Sequence, residues 1–388
     1  MTYSRVGVVT GANKGIGFAV VRQLALQYPN SHLNNGSLLI YLTARDKSRG
    51  EQALSKIQDD ADLKQAKALS THGGAADIKY HQLDISDSSS ISNLASFLNK
   101  EHPDGVDFII NNAGIAMQGF ACNYYGTLEA TRAWIPVMKP DGRIVNVASV
   151  SGSLSKYSPE IKQRFLDAQS VSDVTKLMED FTAAVEKGTH EKQGWPSAAY
   201  AVSKAGEIGM TKAIAKELQD KGSKMLVNSC HPGYVVTDMT RGGGTKTPDE
   251  GAQTPVHLAI ADIGGKTGEY WSDEKVARCP IRSVYTLLTL YQKAGEHVKM
   301  DVDWKFREGP DGGTRHWGAA ENLKVRGAAR VPAPDDGRYV PTPASGVFMY
   351  HRTGQDFGGG TETLLSWNAV DAVNNGLIHL SPAQWETL

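Results

Sequence analysis

The chain has 388 residues, enough for one large domain or two. Its 41 Lys+Arg against 42 Asp+Glu give a formal net charge of -1, which offers no footing for a nucleic-acid or acidic-membrane partner. Cys122, Cys230 and Cys279 are too few and too scattered for a disulfide framework or a zinc cluster, so no metal is expected. No apolar run reaches the roughly 18 residues of a membrane span. The N-terminus enters a strand-like run without a signal-peptide pattern, and the expectation is a cytoplasmic globular protein.

"RVGVVT" (5–10) reads as a short buried strand, followed by "GANKGIG" and then by helical spacing in "FAVVRQLALQY". "SLLIYLTAR" (37–45) is a second strand and 48–70 a polar helix. "IKYHQLDI" (78–85) is a third strand, 91–100 a helix, and "VDFIINNAG" (106–114) a fourth strand. A helix over 127–138 leads to a fifth strand, "GRIVNVAS" (142–149). A helix through Tyr200 runs to about Leu218, and "KMLVNSCHPG" (224–233) is a sixth strand. Alternation of β-branched runs with helices predicts an α/β fold, a Rossmann-like doubly wound parallel sheet with helices on both faces. Residues 153–194 interrupt that rhythm as a polar, amphipathic helical insertion that needs something apolar to cover.

The pattern weakens after about residue 278. The expected division is a doubly wound α/β domain over 1–278 and an irregular C-terminal extension over 279–388. Within it, 281–295 reads as a helix and 346–351 as a strand. Residues 363–380 read as a helix or a strand pair. Gly- and Pro-rich 300–345 is expected to be poorly ordered.

"GANKGIG" places Gly11, Gly15 and Gly17 between strand and helix, flanking Asn13, Lys14 and Ile16. Glycines there let backbone N–H groups approach a pyrophosphate at a helix N-terminus. No Gly-Lys-Ser/Thr ends the loop, so it is not a Walker loop. The second strand ends at Arg45 where an NAD site would carry an acidic residue, so Lys14 and Arg45 suit a 2′-phosphate and favour NADP(H). Two solvated surface cations are the alternative. Asp84, in "LDI" at the end of the third strand, is a candidate acceptor for the adenine amino group, with Ile85 near the ring.

In "WPSAAYAVSKAGEIG" (195–209), Tyr200 and Lys204 lie four apart and so share one helix face. An ammonium beside a phenol favours the phenolate, which makes the Tyr a credible acid or base near neutral pH. Ser149 ends the fifth strand, where a hydroxyl can hold a developing oxyanion. Taken alone, such a Tyr–Lys pair is more often a solvated surface feature. Cys230 reads as a small buried residue, with a reactive position lining the site as its alternative. His231 is a candidate pocket residue.

"TGANKGIG", "NNAG", "VNVAS", "YAVSK" and "HPGYVVTD" occur in the order seen in short-chain dehydrogenase/reductases. Over about 3–278 the chain resembles that family, and within it the monomeric NADPH-dependent carbonyl reductases. The resemblance implies hydride transfer from NADPH to a ketone, aldehyde or quinone. It implies Tyr200 as general acid and Lys204 on the nicotinamide ribose, favouring the Tyr200 phenolate. Ser149 would orient the carbonyl. Asn123 would hold a relay water through its backbone. Asn112, Ala113 and Gly114 would lie beside the cofactor, Pro232, Gly233 and Val235 would flank the nicotinamide, and Thr237 would contact its amide or the phosphates. Fifty residues intervene between Ser149 and Tyr200, as in those monomeric reductases, where inserted helices cover the surface used for oligomerisation. The resemblance therefore implies a monomer acting on a small-molecule substrate. Met117, Phe120, Tyr234 and Trp271 are compatible with lining an apolar site, and each is equally compatible with a core or rim position.

Two features depart from the family. Only ten residues separate Asn112 from Asn123, which shortens the substrate-side loop, and 279–388 resembles no known domain. The alternative function is therefore a catalytically impaired NADP(H)-binding or protein-interaction protein.

Overall fold

A computed structural model describes residues 3–116 and 119–277, together with the backbone of seven short strands between Met300 and Ser366. The chain divides into two units, Met1–Arg282 and Ser283–Leu388.

The first unit is built on an eight-stranded sheet in the order β3-β2-β1-β4-β5-β6-β7-β8. The strands are β1 (Arg5–Val9), β2 (Leu38–Ala44), β3 (Ala76–Gln82), β4 (Val106–Asn111), β5 (Met138–Val147), β6 (Leu226–His231), β7 (Tyr270–Ser272) and β8 (Lys275–Val276). All neighbours pair in parallel except β8, which returns against β7. Every residue of β2 and β4 is buried, as a parallel sheet covered on both faces requires. The pleat divides β2 between the faces. Leu38, Ile40 and Leu42 join a core with Val20, Val21 and Leu24 of α1 (Gly15–Gln27) and Val256 of α9 (Pro248–Ile260). Leu39 and Tyr41 join the opposite core. There they meet α4 (Ser88–Glu101), α5 (Thr127–Trp134) and α8 (Ala199–Asp220). Full burial of each such aliphatic side chain contributes about 1.5–3 kcal/mol.

The order reverses between β1 and β4, and this topological switch opens a crevice beyond their C-terminal ends. The insertion forms α6 (Pro159–Asp167) and α7 (Val171–Glu186). Their Ile161, Phe165, Leu177 and Phe181 form a third apolar cluster with Trp195 and with Val202, Ala205 and Ile208 of α8. The expectation that this segment covers apolar surface is met.

Three segments differ from the sequence reading. The helix expected over 48–70 splits into α2 (Lys47–Gln58) and α3 (Ala61–Gln65). Asp60 causes the break, since its side chain accepts from Leu63 N and restarts the helix as an N-cap. The hairpin β7–β8 adds two strands too short to show periodicity. Its turn puts Asp273 and Glu274 at φ 49° and 57°, the left-handed conformation of tight hairpins. The reading also left 248–260 unassigned. Here Thr247 and Glu250 form a capping box that starts α9, which tolerates Pro255 inside it.

In the second unit β9 (Met300–Asp303) pairs antiparallel with β12 (Asn322–Val325), and β10 (Phe306–Glu308) with β11 (Arg315–Trp317). β13 (Tyr339–Thr342), β14 (Val347–Tyr350) and β15 (Thr363–Ser366) form a three-stranded sheet. β14 is the strand expected at 346–351. The helix expected over 281–295 lies outside the described residues, as does the rest of 300–345 beyond these strands and of 363–380 beyond β15.

Candidate active site

The glycine turn between β1 and α1 is tied down from β4. Thr10 Oγ1 accepts from the backbone N–H groups of Asn112 and Ala113, both at 3.0 Å. Asn112 Nδ2 in turn donates to Thr10 O at 3.0 Å and Gly11 O at 3.1 Å. Gly11 and Gly15 take φ of 63° and 58°. A Cβ on Gly11 would sit 2.8 Å from Ala113 Cα. One on Gly17 would sit 2.5 Å from Gly11 O and would collide with the Asn112 side chain. Only glycine leaves this surface as bare backbone. Lys14 is the N-cap of α1, and no side chain caps the helix start. The residues present therefore fit a pyrophosphate at a helix N-terminus. Asn13 and Ile16 are half-buried beside the turn.

Lys14 and Arg45 are both exposed. Lys14 Nζ pairs with Asp238 Oδ2 at 2.6 Å, and Asp238 is held below the ordinary carboxylate range by that contact. Asp84 lies past β3, not within it. Partial burial works to raise its pKa, yet it is lowered, because Ser86 donates to Oδ1 from N at 2.9 Å and from Oγ at 2.6 Å. Ile85 is buried, and its carbonyl backs on Gly126, where any Cβ would strike it.

At the ends of β4 and β5 the other candidates converge. Lys204 is 5% exposed, and its Nζ donates to Val147 O at 3.0 Å and lies 5.8 Å from the centroid of the Tyr200 ring. Gly114 lies at the same spot, since a Cβ there would be 3.3 Å from Asn123 Oδ1 and 3.8 Å from Lys204 Nζ. The shortened link does not release Asn123. Its Oδ1 accepts from Ile115 N at 2.8 Å, and its Nδ2 donates to Ile115 O at 2.8 Å and Ser203 Oγ at 3.2 Å. The helix starts directly before it, passing through a π-turn, Cys122–Gly126, into α5. Such turns are frequent at functional sites. Ser149 is half-buried and caps the turn Val150–Gly152 by accepting from Ser151 N at 3.1 Å. That turn lies on α8, because a Cβ on Gly152 would be 2.8 Å from Lys204 C and Ala205 N. Tyr200 is half-buried.

The segment after β6 reaches back to the cradle. Thr237 faces Gly15, whose Cβ would lie 3.5 Å from the Thr237 methyl. Gly233 takes φ 96°, Pro232 is buried, and Val235 packs on Gly251 of α9. Tyr234, Val236 and Met239 of this segment are exposed, as are Ile115 and Val150.

The remaining candidates divide. Phe120 stacks on Phe181 of α7, with ring centroids 5.3 Å apart, and so joins the insertion core. Trp271 is buried in the α1/α9 core beside His257 and does not line the crevice. Met117 lies outside the described residues. Cys230 is fully buried, and burial pushes its thiol well up, which removes the reactive-thiol alternative. His231 accepts from Val150 N on Nδ1 at 3.4 Å and is held below its ordinary pKa by desolvation and by Lys246. It therefore steadies the turn after Ser149. Sequence reasoning missed Thr10, Asp238 and Glu207. Glu207 alone left a signal, a carboxylate three residues beyond Lys204 on the same helix face.

A doubly wound sheet with a glycine turn at its switch point, and a Tyr–Lys helix packed beside it, defines a dinucleotide-dependent oxidoreductase. The family model for short chain dehydrogenase matches residues 5–159 and 187–247, and the chain belongs to that family. The match skips most of α6 and α7. The chain is 38% identical over 291 residues to carbonyl reductase (NADPH) 1 of Homo sapiens, covering 70% of this chain and 97% of that one. It is 38% identical over 275 residues to carbonyl reductase (NADPH) 3 of Rattus norvegicus, covering 66% and 91%. Among solved structures it is similar to salutaridine reductase from Papaver somniferum, with a TM-score of 0.59 and 27% identity over 69% of this chain and 99% of that one. Menthone neomenthol reductase from Mentha piperita gives a TM-score of 0.55 and 25% identity over 69% and 97%.

Proposed function

We propose that the chain reduces a ketone, aldehyde or quinone with NADPH, and that Tyr200, Lys204, Ser149 and Asn123 carry the proton chemistry. One observation carries the reading. Lys204, Asn123 and Gly114 meet at the C-terminal edge of β4 and β5, beside a backbone cradle that only glycine permits. NADPH, when bound, supplies a hydride to the carbonyl carbon.

The rest belongs to the chain. As the carbon–oxygen π pair collapses onto oxygen, Tyr200 gives its hydroxyl proton to that oxygen and becomes phenolate. Ser149 donates a hydrogen bond to the same oxygen as charge develops on it. Lys204, fixed by Val147 O, stabilises the phenolate and reaches the nicotinamide ribose. Asn123 is fixed through its side chain to Ile115, which leaves its backbone to hold a water that returns a proton toward Lys204 and Tyr200. Gly11, Asn13, Lys14, Gly15, Ile16, Gly17 and Thr237 hold the phosphates, with Lys14 exchanging Asp238 for the 2′-phosphate alongside Arg45. Asp84 and Ile85 take the adenine. Asn112, Ala113, Gly114, Pro232, Gly233 and Val235 border the nicotinamide side. The exposed Ile115, Val150, Tyr234, Val236 and Met239 favour an apolar or aromatic substrate.

A monomer suits the helices α6 and α7, which bury the outer face of α8 within the chain. No described helix is long and apolar enough to cross a membrane. Cytoplasmic residence suits the free thiols of Cys122 and Cys230.

The test is NADPH oxidation by the full chain against quinones and aromatic aldehydes, with Tyr200→Phe alongside. The expected result is turnover that falls by about 10²–10⁴-fold in the variant while NADPH binding, followed by its fluorescence, is kept. NADPH binding without turnover in the unaltered chain would overturn the reading and favour a cofactor-binding protein impaired by its short link.

A further inference from the structure

Tyr200, Lys204 and Glu207 stand at i, i+4 and i+7 along α8, so a phenol, an ammonium and a carboxylate line one helix face. Glu207 is 2% exposed and Lys204 5%. Lys204 Nζ lies 2.8 Å from each carboxylate oxygen of Glu207. The hydrogen bond runs to Oε2, while Oε1 is buried with no well-directed donor. Val147 O takes a second N–H of the ammonium at 3.0 Å. One N–H of the ammonium is therefore left over.

As helix packing this pair is a poor device. Two desolvated charges with an incompletely bonded oxygen stabilise a fold less than an apolar side chain of similar size. As an anchor it is effective, because it fixes the depth and direction of the ammonium from the side away from Tyr200.

The charges around the pair are few. Cys230 of β6 and Cys122 of the π-turn lie within electrostatic reach of the pair, and burial raises both thiols, so both stay neutral. Asp84 and Arg45 act on Cys122 from beyond the turn with opposite signs. Burial also raises Glu207 above the ordinary carboxylate range, against the pull of Lys204. Desolvation disfavours the Lys204 ammonium, but Glu207 outweighs it and Lys204 is raised above its ordinary pKa.

We infer that Glu207 is a positioning residue for the reduction: it anchors the Lys204 ammonium on Val147 O and offsets its charge at Tyr200, which sets the alkaline limit of carbonyl reduction. The inference rests on the assignment of Tyr200 and Lys204 made above. Reduction needs Tyr200 to carry its proton, so its rate falls on the alkaline side. An unbalanced ammonium favours the phenolate and brings that fall to lower pH.

The experiment compares kcat/KM for carbonyl reduction across pH in the unaltered chain, Glu207→Gln and Glu207→Asp. In Glu207→Gln the alkaline limb is expected to move down by about one pH unit, for a charge removed some 10 Å away at an effective dielectric near 20. In Glu207→Asp, which keeps the charge but shortens the reach, the limb is expected to return toward its original pH even where kcat is reduced. A uniform loss of kcat in Glu207→Gln with the limb unmoved would overturn the inference, because it is what a packing residue gives.

A second readout needs neither variant nor cofactor. In the 15N-lysine-labelled, cofactor-free chain the Lys204 ammonium protons are expected to exchange slowly with solvent, as a buried, doubly anchored group must. Exchange as fast as that of surface lysines overturns the anchor even if Glu207→Gln fails to fold. Tyr200→Phe separates the two levels. An active Tyr200→Phe sinks the site assignment itself, whereas an inactive one with an unmoved Glu207→Gln limb sinks only this inference.

Discussion

On the cradle side of the crevice, Thr10, Gly11, Asn112 and Ala113 hold one another by hydrogen bonds of 3.0–3.1 Å, and a methyl group added at Gly11 or Gly17 would strike backbone. On the opposite side, Ile115, Val150, Tyr234, Val236 and Met239 stand exposed on turns, which are tied down by the Asn123 amide, by the caps at Ser149 and His231, and by bonds such as Val236 N to Lys246 O at 2.9 Å. The contrast follows from what each side must recognise. A pyrophosphate is one fixed shape read by backbone N–H groups, so its site is stiff. Carbonyl substrates vary in shape and share mainly apolar surface, so their side is adaptable.

The largest expected effect tests the stiff side. Gly17→Ala should weaken NADPH binding by about tenfold to a hundredfold, since overpacking of about 1–3 kcal/mol falls on the cradle itself. Fluorescence titration checks it, and unaltered affinity would show that the cradle yields. Next comes the support beneath both sides. Asn111 is buried, donates to Thr131 Oγ1 at 3.1 Å and Asn146 Oδ1 at 2.8 Å, and accepts from Trp134 Nε1 at 3.0 Å. Asn111→Ala should cost about 2–3 kcal/mol in denaturant unfolding, because it strands buried partners on two elements.

Arg45→Ala should then raise KM for NADPH by about tenfold, the loss of one charge-assisted contact, and leave KM for NADH unmoved. An equal change for both would remove the 2′-phosphate from the account. On the adaptable side, Val150→Ser should raise KM for an aromatic aldehyde only about fivefold, in keeping with one aliphatic contact. A far larger loss would mean that this side is as stiff as the other.

The smallest effect lies away from both sides. Hydrogen bonds from Arg132 at 2.7 Å and Lys221 at 2.9 Å hold Glu217 down to about 2. Its folded value lies below its unfolded one, so its contribution is present above the ordinary Glu range and is lost as pH falls toward 2. The pair is part-exposed and solvent-screened, so Glu217→Gln should cost only about 0.5 kcal/mol at pH 7 and nothing near pH 2, read from Tm at the two pH values.

Legibility followed the range of the interaction. The glycine turn, the Tyr–Lys spacing, Asn112–Gly114 and the basic end of β2 are local patterns, readable from residues close together in the chain. Trp271 shows the limit. An aromatic near a strand end is compatible with a pocket, but pairing of β7 with β6 turned it into the core. Phe120 likewise went to α7. The reach of Asn123 to Ile115 shows how that side chain is held despite the short link, and no spacing rule could have given it.

By itself the sequence determined the doubly wound fold, the glycine turn, the Tyr–Lys helix face and a helical insertion with an apolar face to hide, because these depend on backbone conformation and on residues within one or two turns of each other. Only the tertiary structure decided what those residues touch. It decided that Thr10 pins Asn112, that Lys14 rests on Asp238 across the crevice, and that Lys204 is suspended between Val147 O and Glu207. Each of those contacts depends on elements distant in sequence packing side by side, except Glu207, whose position was visible but whose burial was not. Burial turns a common helical ion pair into a desolvated one, with Lys204 5% and Glu207 2% exposed.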